Sequence, residues 1–261
     1  MILYDNIPKI AARALGHARV LDVGGSSHPL NAATHVLDIV PYAARGAPLD
    51  PATPPRFSEA TWTVADACVA PWPYPDGYFD WSFCSHILED VRDPIAVVKE
   101  LRRVSRAGYI ETPSRLREIF AKARFSTLRR WLGRGAEIGF YHHRWFVELA
   151  GTHLVFTAKT AELARDTRYS ITRGEIGRKL TQEESGLCLW WEGELSAEEA
   201  FPRSLHEDLA AFKTKAMTRF GPGKRECAWR KARHCEEAKP TKQSRRTTRR
   251  RPLDCFAFGS Q

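Results

Sequence analysis

Asp22, Gly24, Gly25 and Asp38 close two short apolar runs in VLDVGGSSHPLNAATHVLD, residues 20–38. Glycines directly after a strand let the backbone turn sharply and approach a ligand closely. A carboxylate at the tip of the next strand can accept hydrogen bonds from both hydroxyls of a ribose. Asp38 follows Asp22 by 16 residues, near the spacing of about 20 expected for that role. The chemistry indicated is recognition of a nucleoside. A dinucleotide pyrophosphate is not supported, because Ser26 stands where its fingerprint has a second glycine.

Further polar groups follow other apolar runs: Asp66, Ser85 with His86, and Glu111. The runs that position them read as strands at Val20 to Val23, Val36 to Val40, Thr61 to Ala65, Phe79 to Cys84 and Tyr109 to Thr112. An amphipathic helix from about Asn6 to Gly16 precedes them. Asp93-Pro94, an N-cap followed by proline at the first helical position, opens IAVVKELRRVS, which Gly108 stops. Only nine residues, Pro29 among them, separate Gly25 from His35, so the first crossover has room for little more than one helical turn.

Strands alternating with crossovers predict an α/β fold, a doubly wound and mostly parallel sheet that binds ligands beyond the carboxyl ends of its strands. All five polar clusters fall on that rim. Beyond it, Ser114 to Leu132 reads as a basic helix whose charged face is expected to be solvated. Residues 141–160 read as two strands joined near Gly151-Thr152, Leu187 to Leu195 as another strand, and Ala197 to Met217 as partly helical. Antiparallel additions in the C-terminal half are therefore expected. Trp72 and Tyr74 lie between prolines, where they pack a loop down or cover a ligand, and Trp190-Trp191 reads as packing.

At 261 residues and 43% hydrophobic content the chain can bury a large core. Its net charge of +9 suggests a nucleic-acid partner only if it is spread over the fold. Residues 224–261 hold 12 Lys and Arg against 4 Asp and Glu, which leaves 28 against 27 in residues 1–223. The expected organisation is a domain over 1–223, with a cofactor-binding half to about 115 and an accessory half from about 116, then a disordered basic tail. That tail is either an arm for acidic partners or a translated DNA repeat, which RHCEEAK and LDCFAFGS resemble. Nucleic acid and membrane are not expected as partners, and a cytoplasmic location is. The six cysteines show no C-x-x-C spacing and no zinc-like pairing with histidine, so reduced thiols and no metal are expected.

Asp22-Val23-Gly24-Gly25, Asp38, Ala65-Asp66-Ala67 and FDWSFCSHILEDVRDPIAVVKELRRVSRAGYIETPS (79–114) resemble the class I S-adenosylmethionine-dependent methyltransferases, especially the type 11 group. The resemblance covers roughly residues 15–160. It implies a Rossmann-like fold and S-adenosyl-L-methionine as cofactor. Asp22, Gly24 and Gly25 would line its methionine and ribose part, with Ser26 at the second glycine position of D-x-G-x-G. Asp38 would take the ribose hydroxyls, Asp66 the adenine amino group and Ala67 its ring. Cys84, Ser85 and His86 would floor the pocket, and Asp90 stands where a histidine is common.

Methyl transfer from a sulfonium needs alignment more than covalent help. A general base is needed only for a protonated acceptor, and His86, Glu111, His142 and His143 are the candidates. The expected reaction is methylation of an O, N or C atom of a small-molecule or saccharide-like acceptor. The alternatives are an inert methyltransferase-like binding module and a nucleic-acid methyltransferase using the tail.

Overall fold

The computed structural model describes residues 3–121, 132, 139–160 and 166–221. The tail expected from 224 onward lies outside the described residues. A six-stranded sheet forms the centre, built from β1 (Val20–Val23), β2 (His35–Asp38), β3 (Trp62–Val64), β4 (Trp81–Ser85), β5 (Ala107–Pro113) and β10 (Gly186–Glu192). Its order is β10-β5-β4-β1-β2-β3, parallel except for β10, which runs antiparallel to β5. The chain travels outward from β1 through β2 to β3, then restarts at β4 on the other side of β1. The order thus reverses between β1 and β4, where open α/β sheets hold their ligands.

The strands are short and apolar because both faces are covered. Helix α1 (Ile7–Leu15) packs Ile10 and Ala14 on one face, with Val20, Trp81, Phe83 and Tyr109. Helix α2 (Pro94–Val104) packs Val97, Val98, Leu101 and Val104 on the other, beside Leu21, Val23, Leu37 and Ile110. Asp93 caps α2 by accepting from the Ala96 amide at 2.9 Å. Trp72 and Trp191, each 2% exposed, belong to this second core. Trp72 therefore packs its loop down and does not cover a ligand.

Among the described residues no helix joins β1 to β2, as the short spacing predicts. Backbone amides that a helix would satisfy internally are held by carboxylates instead. Asp22 Oδ2 accepts from Leu30 (2.8 Å), Asp38 Oδ2 from Ser26 (2.9 Å) and Asp50 Oδ1 from Asn31 (2.6 Å).

Strands β7 (Trp145–Ala150) and β8 (His153–Ala158) form the expected hairpin, but in a separate three-stranded sheet completed by β11 (Ser196–Ala200), parallel to β8. Two readings are corrected here. The expected helix from 114 ends early, as α3 (Arg115–Ile119), and continues into the short strand β6 (Phe120–Ala121). Its Arg115 is no solvated face: it is 7% exposed and pairs with Glu148 and Asp208. Ala197 to Ala200, at the start of the segment read as partly helical, belong with Ser196 to a strand because pairing with β8 overrides the helix propensity of the Ala and Glu residues. The helix α6 (Leu205–Phe220) follows it, after the one-turn helices α4 (Arg173–Ile176) and α5 (Gln182–Ser185). Cys68 and Cys84 are free thiols. No helix among the described residues is long and apolar enough to cross a membrane.

Candidate active site

The glycine turn begins at Gly24, whose φ of 77° belongs to the left-handed region that favours glycine. A Cβ at Gly24 would lie 2.0 Å from Ile87 Cδ1, and one at Gly25 would lie 2.4 Å from Asp22 Oδ2. The segment after β4 thus leans directly over the turn after β1. Ser26 contributes through its backbone amide, and its φ is not positive, so nothing in this turn requires a glycine at 26.

Asp22 is 1% exposed, and burial pushes its carboxyl up to about 8. Its Oδ2 is bonded to the Leu30 amide, but Oδ1 has no partner among the described residues. The Ser85 hydroxyl, at the end of neighbouring β4, is likewise buried without a partner among them. An unmatched buried polar group costs about 1–3 kcal/mol, so two of them at adjacent strand ends indicate a place for a polar ligand.

Asp38, 6% exposed, accepts from Ser26 at 2.9 Å and from Val40 at 2.8 Å, one bond to each oxygen. A carboxylate has about four acceptor positions, so two remain. Beyond β3, Asp66 accepts from the Cys68 amide at 2.8 Å and from Arg92. The Arg92 hydrogen bond holds its carboxyl below the usual range. Ala67 packs partly buried against the main core. The Cys84 thiol is buried within β4, and burial pushes it well above its usual range. The nine residues read as cofactor-binding therefore converge on the carboxyl ends of β1 to β4.

His86 is set differently. Its φ of 56° is left-handed, a conformation that costs a non-glycine residue of order 1–3 kcal/mol. Two buried carboxylates hold it: Glu89 Oε1 lies 2.8 Å from Nδ1 and Glu111 Oε1 lies 3.3 Å from Nε2. Burial by itself lowers the imidazole, but the bonds to Glu111 and Glu89 outweigh it and hold His86 up at about 9. Glu111 also accepts from the Leu3 amide at 2.8 Å and from the Tyr109 hydroxyl, to which Asn6 donates at 3.0 Å. Glu111 is thus the hub that ties the N-terminal segment to the rim.

His142 and His143 stand beside Asp90, where the Glu89 backbone carbonyl accepts the Arg144 amide at 2.7 Å. His143, 7% exposed, places Nδ1 2.6 Å from Glu118 Oε1, and Lys159 Nζ donates to Glu118 Oε2 at 2.6 Å. Burial works to raise Glu118, yet His143 and Lys159 prevail and keep it below its usual value. Breaking so buried a pair leaves an uncompensated charge. Lys159→Met is therefore expected to lower stability by about 3–5 kcal/mol, measured by urea denaturation; a loss under about 1 kcal/mol would show that the pair behaves as an exposed one.

Sequence reasoning missed Glu89, Glu118, Lys159 and Arg92 as partners of site groups. Glu89 alone had a local signal, three residues after His86. A cavity of about 340 Å³ lies away from this rim, between α3, β7, β10 and α6, with Arg115, Glu148, Leu187 and Phe212 in its walls. Arg115 in its wall is paired with Glu148 and Asp208.

No curated protein matches the chain. Among solved structures, the N-terminal domain of EvdMO1 with SAH and D-fucose is 19% identical over 43% of this chain and 51% of that one, with a TM-score of 0.30. The N-methyltransferase NodS from Bradyrhizobium japonicum WM9 in complex with S-adenosyl-L-homocysteine is 16% identical over 49% and 64%, at 0.31. An S-adenosylmethionine-dependent methyltransferase from Mesorhizobium loti is 16% identical over 62% and 68%, at 0.32. The chain spans about half the length of the first of these, and TM-scores of this size leave the strand order above as the basis for the fold. Residues 18–110 match the family described as Methyltransferase domain. That stretch begins just before β1 and ends within β5, so it contains the glycine turn and all but the last of the acid-bearing strand ends: over these residues the chain is similar to that methyltransferase family.

Proposed function

We propose that the chain transfers a methyl group from S-adenosylmethionine to an O, N or C atom of a small-molecule or saccharide-like acceptor. The observation that carries this reading is that Asp22 Oδ1 and Ser85 Oγ, both buried without a partner among the described residues, lie on the adjacent strands β1 and β4, between which the strand order reverses. These residues fit the cofactor. Asp22 with Gly24, Gly25 and Ser26 would hold the methionine and ribose part, Asp38 the ribose hydroxyls, and Asp66 and Ala67 the adenine, over a floor of Cys84 and Ser85. When bound, the cofactor supplies an electrophilic methyl group on a sulfonium.

Held up at about 9, His86 is protonated at neutral pH and donates hydrogen bonds rather than accepting a proton. Glu111, with three donors on its carboxylate, anchors the rim. In this reading neither is the base. His142, His143 and Asp90 form the polar group beside the rim, and an acceptor approaching over Ser85 meets them. The near balance of 28 basic against 27 acidic residues in 1–223 favours a small acceptor over nucleic acid. In this reading 1–223 is the methyltransferase domain, with its cofactor half to about 115, and 224–261 is an appendage.

Calorimetry with S-adenosylhomocysteine at high micromolar protein tests the reading directly. One site per chain is expected. The absence of heat with both S-adenosylhomocysteine and S-adenosylmethionine would overturn it in favour of an inert module.

A further inference from the structure

Asp90, His142 and His143 each present one ligand atom, and the three atoms lie within 4.8 Å of one another. His143 is buried, Asp90 half-buried and His142 exposed, so the cluster opens to solvent on one side. Consecutive residues of an extended chain point opposite ways. Here the loop before β7 instead brings both rings together, edge to face with centroids 4.5 Å apart. Asp90 comes from the turn after β4, fixed to the same loop by the Arg144 and Trp145 amides on the Glu89 carbonyl.

An independent observation concerns which nitrogen of His143 faces the cluster. Nδ1 lies 2.6 Å from the Glu118 carboxylate, which leaves Nε2 as the nitrogen that faces Asp90. Nε2 and Asp90 Oδ1 are 3.8 Å apart, too far for a hydrogen bond. Two ligands at about 2.0–2.1 Å from a tetrahedral cation stand about 3.4 Å apart, so this gap closes on a cation with a small side-chain adjustment. A carboxylate behind the far nitrogen of a histidine is how metal-bound imidazoles are oriented. Lys159 Nζ in turn donates to Glu118 Oε2 at 2.6 Å, which fixes that carboxylate behind His143.

The geometry points to a divalent transition-metal site made by His142, His143 and Asp90, with Glu118 orienting His143. Two imidazoles and one carboxylate suit zinc or a neighbouring first-row cation better than magnesium or calcium, and three protein ligands leave a position open. That position suits water or an oxygen of the acceptor, on which the cation would act as a Lewis acid. This last role rests on the methyl-transfer reading, whereas binding of the cation does not. The site departs from the expectation of no metal, which considered histidine only in short zinc-like spacing with cysteine.

The test uses the full chain, dialysed against a chelator and titrated with Co2+ by visible absorption and with Zn2+ by calorimetry. His142→Ala and Asp90→Asn are titrated beside it. His142 is exposed, so its removal leaves folding intact. Histidine and cysteines in residues 224–261 also offer ligands, and the difference between variants therefore decides rather than total uptake. The expected result is one equivalent whose affinity falls at least about 10-fold in each variant, together with loss of its Co2+ absorption band. Equal binding in wild type and both variants, or no binding at all, overturns the proposal. S-adenosylhomocysteine titrations on the same samples report separately on the methyl-transfer reading.

Discussion

Raising the pH from 6.5 to 9 is expected to remove about 3 kcal/mol of stability through His86 alone. The folded state holds this imidazole at about 9 against an ordinary 6.5, so it binds the proton more tightly than the unfolded chain does. The contribution is complete below 6.5 and disappears as the pH rises through about 9. Asp22, raised from 3.8 to about 8, lowers stability in the same direction over the lower part of that range. His86→Gln isolates the histidine, since an amide keeps hydrogen bonds but not the charge. Urea denaturation at stepped pH should show the wild-type curve falling more steeply than the variant above pH 6.5. Parallel curves would mean that Glu89 and Glu111 do not hold a cation.

The second large effect is on the cofactor. Asp38→Ala is expected to weaken S-adenosylhomocysteine binding on the order of 100-fold, since hydrogen bonds to a charged group contribute about 1.5–3 kcal/mol each. The substitution also frees the Ser26 and Val40 amides, so the glycine turn loses one of its tethers. Asp38→Asn keeps an acceptor and should fall between wild type and alanine. Calorimetry gives the comparison, and an affinity of Asp38→Ala within about threefold of wild type would remove Asp38 from the ribose.

The sheet was legible in the sequence because its strands are apolar runs cut by glycine, proline and acids, and Asp22, Asp38, Asp66, Ser85 and Glu111 fall at or beside their ends. What stabilises those ends was not. Glu111 meets the Leu3 amide across 108 residues, and a backbone amide has no signature in a sequence. Glu118, read as part of a basic helix, is defined by His143 and Lys159, which arrive from other elements 25 and 41 residues away. Ser196–Ala200 carries residues that favour a helix and becomes a strand only through its neighbour β8. Ser26 looked like a defect because the family pattern has glycine there, yet what the turn uses is its backbone, the amide donating to Asp38 and the carbonyl accepting from Gly46.

The antiparallel pairing of β10 with β5, from Gly186 opposite Pro113 to Glu192 opposite Ala107, has a consequence for the order of folding. The parallel strands β1 to β5 are complete once residue 113 has been synthesised, but β5 is then an edge strand with open backbone groups. Its partner is made 73 residues later, a long loop to close and so a slow contact. Until it docks, Glu111 lacks Cys188, its opposite in the register. The edge that carries Glu111 is therefore closed late, and a nascent chain shorter than about 192 residues has the cofactor turn beside a β5 that is still unpaired on one side.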